Sequence, residues 1–330
     1  MATARAEPSV IRNAASGVAK SAGKQHRQST GDPAFKWMTI LCAAIIAVIM
    51  AGISEELVRN SHLSIKQFGF RFFVSPKWNP VTQEFGAASS VFGTAVSTAI
   101  AVLLAVPLSL AIALLLVELA HPVVSRFVGG AIELLAAIPS IIYGMWGLFV
   151  FAPFMAKHVQ PALANTLGLL PLFQGPPMGI GMLTAGIILA LMILPFVSAV
   201  TRDVLHMVPA VLRESGYGLG ATTWEVTRKV SFRYGMSGIV GAVFLGLARA
   251  LGETMAVTFV IGNDHTMSAS LFGAGNTIAS TLANEFSEAS EPMYLSALFE
   301  LGLALFAITV LFQIVAQLWL RRLGRTMGTR

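Results

Sequence analysis

Long apolar runs, near 37–53, 89–117, 127–155, 179–201, 236–261 and 295–320, leave this chain few ways to fold. A hydrocarbon layer about 30 Å thick is crossed by roughly 20 apolar residues of helix. With no water there to bond N–H and C=O groups, only helices and closed barrels cross it. Continuous apolar runs of this length select helices, so the expected fold is an all-α membrane protein with six transmembrane helices. Composition agrees: 55% of the 330 residues are hydrophobic and 12% are charged, about half the charged fraction of an ordinary soluble protein. The first run is short and extends through its flanks; the second and third are long enough to tilt or to contain a break. Pro107, Pro139, Pro153 and Pro195 interrupt the runs. Such prolines are tolerated where neighbours satisfy the freed carbonyls, which places breaks toward a bundle interior.

Basic residues orient the spans. One set of flanking segments carries sixteen Lys and Arg and the alternate set five, so the positive-inside rule puts both termini in the cytoplasm, as an even number of spans requires. The chain divides into a basic tail over 1–36, too poor in large apolar residues to fold, a first span and flank over 37–64, a core over 65–320 and a C-terminal tail over 321–330. The apolar run after the tail begins late and ends in Glu55 and Glu56, which reads as an uncleaved span and not as a signal peptide. The tail's basic residues anchor topology and can touch anionic lipid; the formal charge of +6 therefore implies no nucleic acid. Cys42 stands alone, excluding a disulfide framework or cysteine metal site, and His158, His206 and His265 lack ligand spacing. The loop 262–294 holds Asp264, Glu285, Glu288 and Glu291 but no Lys or Arg. Its apolar pattern at Ile278, Leu282 and Phe286 reads as a plug or dock at the outer mouth.

Between the fourth and fifth runs lies a polar, basic stretch, 209–234, that cannot sit in hydrocarbon. Pro209 suits a first helical position, Gly220 a helix stop, and Thr222 with Glu225 a capping box. The expectation is a cytoplasmic hairpin of two short helices joined at Gly220–Ala221, a rigid knob able to dock on a soluble partner. In the apolar run that follows, Arg249 and Glu253 are spaced one helical turn apart and are expected to share a face. Charges at that depth cost at least about 2.5 kcal/mol on insertion scales, so they face protein or an aqueous path. Arg249 offers planar donors to an oxyanion and Glu253 holds it or keeps the site weak; a structural pair with Glu133 or Glu300 as further partners is the other reading. Glu118 and His121, at a span end, read as solvated; Tyr143 and Trp146 as packing or interfacial residues.

Glu214, Ser215, Gly216, then Gly220, then Val230-Ser231-Phe232 resembles the coupling-helix signature of type I ABC importer permeases, in which two alanines stand at Ser215 and Gly216 and a proline at Arg233. The segments WNPVTQEFGA (78–87), AAIPSIIYGMWGLFV (136–150), GPPMGIGMLTAGIILALMILPF (175–196), LGLARALGETMAV (245–257) and GNTIASTLANEF (275–286) are similar to the PstC-type permease subunits of bacterial phosphate ABC importers, over roughly 65–320. The resemblance implies an inner-membrane permease for inorganic phosphate with a PstA-like second permease, a PstB-like ATPase dimer and a phosphate-binding protein as partners. It implies ATPase coupling through Glu214, Ser215, Gly216, Gly220, Thr222, Glu225 and Val230, and a translocation path at Arg249 and Glu253.

The chain has no G-x-x-x-x-G-K-[ST] loop; Gly17 to Ser21 and Gly23 to Gln25 miss the spacing. Hence no catalytic residue, metal or cofactor is expected in this chain, and ATP with magnesium belongs to the partner ATPase. Other readings are a permease for sulfate or molybdate, a subunit that mainly signals phosphate status, and a secondary transporter or channel.

Overall fold

The computed structural model describes residues 31–326. Most of the expected basic tail and the last four residues lie outside the described residues. The helices are α1 (Gly31–Asn60), α2 (His62–Phe68), α3 (Arg71–Val74), α4 (Ala88–Leu119, closing in a wide π turn), α5 (Pro122–Ala136), α6 (Ser140–Leu167), α7 (Met182–His206), α8 (Ala210–Gly218), α9 (Thr223–Leu251), α10 (Met255–Val260), α11 (Ile278–Glu285) and α12 (Pro292–Thr326). Among the described residues there is no strand beyond two isolated bridges, and six of the helices are long and apolar enough to span a membrane. Residues up to Glu56, within α1, form one unit and those from Leu57 a second. α1 starts at Gly31 and α12 runs to Thr326, so both spans continue as helix into segments expected to be tail.

Two spans differ from the apolar runs that announced them. The third run, 127–155, is not one helix. Pro139 disfavours helical backbone at the residue before it, and α5 closes at Ala137 and Ile138 in tightened turns onto Glu133, Leu134 and Leu135. The membrane span is instead α6, which runs on past Pro153 through two π turns and carries Lys157 and His158. The fifth span is α9, which begins at the capping box and ends at Gly252, whose φ of −94° and ψ of 2° leave the helix. The expected hairpin of two short helices is thus one short helix, α8, followed by the protruding start of a long one: nothing after Thr222 interrupts the helical bonds.

The core of the second unit is α7, the most buried span, packed along α4 and against α9. Small residues permit the approach: Ala101 and Ala105 of α4 and Ala185 of α7 are fully buried, and a Cβ on Gly186 would lie 2.6 Å from the Ile100 side chain. Lipid supplies no hydrophobic drive between helices, so such close packing is what holds them. Ser109 of α4 donates to the Leu194 carbonyl of α7, beside Pro195 (3.0 Å).

The acidic loop, read as a plug or dock, is tied into the bundle at both of its ends. Gly262, at φ +97°, bridges to Gly275, and α11 then inserts against α4, α10 and α12 with Ile278, Ala279, Ser280 and Thr281 buried. Its approach is fixed at Gly93 of α4, where a Cβ would stand 1.9 Å from the Asn276 carbonyl oxygen. Gly93→Ala is expected to cost about 1–3 kcal/mol through overpacking, read as a lower thermal midpoint of the purified chain in detergent. Gly130→Ala, whose Cβ would meet nothing within 4 Å, serves as the control and should not lower the midpoint, since alanine favours helix over glycine.

Candidate functional site

Arg249 occupies the last turn of α9 and is exposed in the isolated chain. Glu253 does not share its helix. It lies in the break, and its Oε1 accepts from the Ala256 backbone N–H (3.2 Å), capping α10. Gly252 turns the backbone between them, so the helical spacing that put both on one face does not apply. Among the described residues Arg249 has no ion pair or side-chain hydrogen bond. The partners expected for it are engaged elsewhere: Glu133 Oε1 is 2.5 Å from Arg202 Nη2, and Glu300 is buried on α12 where α12 packs on α2.

Two helix breaks meet beside Arg249. α10 packs on the start of α6 at Gly144, where a Cβ would be 2.8 Å from Phe259 and 3.0 Å from the Ala256 Cα. One residue earlier, Tyr143 stands within electrostatic reach of the Arg249 guanidinium, and its hydroxyl donates to the Leu135 carbonyl at the end of α5 (3.0 Å), which also takes the Ile138 N–H (3.3 Å). Tyr143 reads from sequence as a packing or interfacial residue; its adjacency to the Ala-Ile-Pro-Ser break was the available signal. Thr184 and Ser198 of α7 are buried and bonded to the carbonyls of Gly179 and Pro195.

The remaining expected residues gather on α8 and the start of α9. α8 ends in a Schellman motif, with Gly220 at φ +81°, its N–H on the Tyr217 carbonyl and the Ala221 N–H on the Gly216 carbonyl. Thr222 and Glu225 form the capping box, and Lys229 pairs with Glu225 at 3.1 Å. Gly216 lets α8 lie on α9: a Cβ there would sit 3.0 Å from Val226 and 3.8 Å from Val230. Val230 is therefore a packing residue under α8. Glu214 and Ser215 are exposed, and Ser215 bonds back to the Val211 carbonyl (2.7 Å). The apolar residues of this projection face outward, Leu219 89% and Trp224 66% exposed. They went unread because polar neighbours hide them in a hydropathy pattern.

Glu118 is not solvated. Its side chain is 7% exposed, with Oε1 3.8 Å from Arg213 Nη1 of α8. Arg213 also donates from Nη2 to the Leu205 carbonyl of α7.

These elements are those of a known family. The model for binding-protein-dependent transport system inner membrane components matches residues 105–328. The chain belongs to this family. Two relatives are phosphate transport system permease proteins PstC: one from Mesorhizobium japonicum, 49% identical over 90% of this chain and 92% of that protein, and one from Haemophilus influenzae, 48% identical over 92% and 98%. A solved alginate ABC importer has a chain similar in fold (TM-score 0.59, 15% identity, 88% of this chain and 98% of that one). A chain of the inward-facing MetNI methionine ABC transporter is similar as well (TM-score 0.54, 19% identity, 71% and 94%). The family member described here is thus a multi-pass transport component of the inner membrane.

On the face opposite α8, Glu285 organises the loop ends. Its carboxylate accepts from Trp78 Nε1 (2.5 Å) and the Tyr294 hydroxyl (2.8 Å) and meets His265 Nε2 at 2.7 Å, while the His265 ring stacks on Trp78. Glu285→Ala strands three polar groups and is expected to cost about 2–4 kcal/mol in thermal unfolding; Glu285→Gln, which keeps an acceptor, should lose less.

Proposed function

We propose that the chain is one of two permease subunits of an ATP-driven importer of inorganic phosphate. The observation that carries this is the near-half identity to PstC permeases across nine-tenths of the chain. The site supports it. Arg249, unpaired among the described residues and set between two helix breaks, is what a membrane-embedded oxyanion site calls for: a guanidinium fork that matches phosphate oxygens where discontinuous helices open the bundle. Tyr143 adds a hydroxyl beside it. Glu253 shapes the site by holding the start of α10.

Transport needs energy from outside this chain, whose sequence has no phosphate-binding loop. Both termini and α8 lie in the cytoplasm by the distribution of basic residues, so the exposed face of α8 with Glu214, Leu219 and Trp224 meets an ATPase. The complex contains a PstA-like permease, two PstB-like ATPases holding ATP and magnesium, and a phosphate-binding protein at the outer face. Closure of the ATPases moves α8 and, through it, the spans. Import results because phosphate binds the outward- and inward-open states with different affinity; a ligand held equally by both would not be pumped.

Proteoliposomes holding the full complex, supplied with binding protein, ATP and labelled phosphate, test this. Uptake should require ATP and persist under excess sulfate. Arg249→Gln should reduce it about ten- to hundredfold, the loss of a charge-assisted bond, with the complex still assembled. Flux without ATP would defeat the coupled mechanism, and normal uptake in Arg249→Gln would remove that residue from the path. Trp224→Ala should weaken ATPase association about tenfold or more, as for a central aromatic anchor, measured by titrating detergent-solubilised permeases with the ATPase.

A further inference from the structure

α8 touches the bundle through its two chain connections, through Gly216 on α9, and through one side chain that turns inward, Arg213. Its Nη2 donates to the Leu205 carbonyl in the last turn of α7, which also takes the Val208 N–H (3.3 Å). Its Nη1 points to Glu118 at 3.8 Å, beyond hydrogen-bond range. Both groups are incompletely satisfied: Glu118 Oε1 and Arg213 Nε are buried with no hydrogen-bond partner. A buried carboxylate is costly unless paired and bonded, so this pair sits about 1 Å short of the fork-to-carboxylate geometry that would repay its burial. A displacement of α8 by about that distance would bring the pair into bonding range.

Glu118 lies where such a displacement can be received. It belongs to the π turn Leu115–Leu119 that closes α4, a wider helical turn of the kind that recurs at functional sites. α4 is in turn the span packed most extensively on the core helix α7. A push on α8 thus has a direct route into the core, separate from the loops that join α8 to α7 and α9.

We propose that Arg213 and Glu118 form a clasp that transmits the movement of α8 to α4, making Glu118 a positioning residue for transport. The proposal rests on the reading of α8 as the ATPase contact. Glu118 touches neither phosphate nor ATP; it sets how far α4 follows α8.

Glu118→Gln keeps the shape and an acceptor oxygen but removes the charge that draws the clasp shut. In proteoliposomes of the full complex, this variant should hydrolyse ATP, when stimulated by binding protein, within twofold of the unaltered complex, while phosphate uptake per ATP falls about tenfold. Glu118→Asp should recover more than half of the ratio, and Glu118→Gln with Arg213→Gln should be no worse than Glu118→Gln alone, because the two act as a unit. An unchanged ratio in Glu118→Gln, whether both rates stay normal or both fall together, overturns the proposal. A readout independent of cargo uses spin labels on Gly218→Cys and Leu119→Cys, both at exposed positions, in a Cys42→Ala background. The label distance should keep its narrow distribution when ATP is added to the unaltered complex and broaden in Glu118→Gln; equal widths overturn the clasp. Should the unaltered complex fail to import phosphate, the importer reading falls, and the label distances still decide the clasp.

Discussion

Backbone polar groups inside a membrane must be bonded, and the structure turns on how this chain affords two helix breaks under that constraint. At the first, Tyr143 returns to bond the Leu135 carbonyl; at the second, Glu253 folds back to take the Ala256 N–H. The breaks are packed on each other through Gly144, while Ala137 and Pro139 of the first and Gly252 of the second stay exposed in the isolated chain. What remains without a partner there among the described residues is the Arg249 guanidinium.

The same economy of partners explains the opposite roles of the chain's other charges. Glu285 is bonded on all sides by Trp78, Tyr294 and His265, which locks the loop 262–294 to the ends of the spans. Arg202 is bonded to Glu133. Among the ion pairs of the described residues, only Arg213–Glu118 joins a buried carboxylate to a loose contact, and it lies between α8 and a helix packed on the core. Stiffness of α8 itself comes from its Schellman end, the capping box that starts α9 and the close contact at Gly216. A stiff projection on a loose internal contact is a lever arrangement.

Much of this was legible in the residues. Hydropathy fixed an all-α membrane fold and placed four of the spans closely, because a helix that crosses lipid must be apolar along its length. The turn chemistry at Gly220 and Thr222–Glu225 was also readable, since positive φ and capping are local properties. The third and fifth spans were misplaced for one reason: hydropathy reports apolar character but not helical continuity. Pro139 and Gly252 cut apolar runs, and α9 extends as helix through the polar residues 223–235 that hydropathy assigns to a loop.

What the sequence determined by itself, then, is what depends on neighbours along the chain: number and character of spans, caps, and the family to which the motifs belong. What only the tertiary structure decided is pairing. Arg249 and Glu253 are four residues apart yet are separated by a backbone turn, whereas Glu118 and Arg213, 95 positions apart by their numbers, face each other. The energy of a charge depends on what lies within a few ångströms of it, and in a folded bundle that neighbourhood is set by which helices pack together.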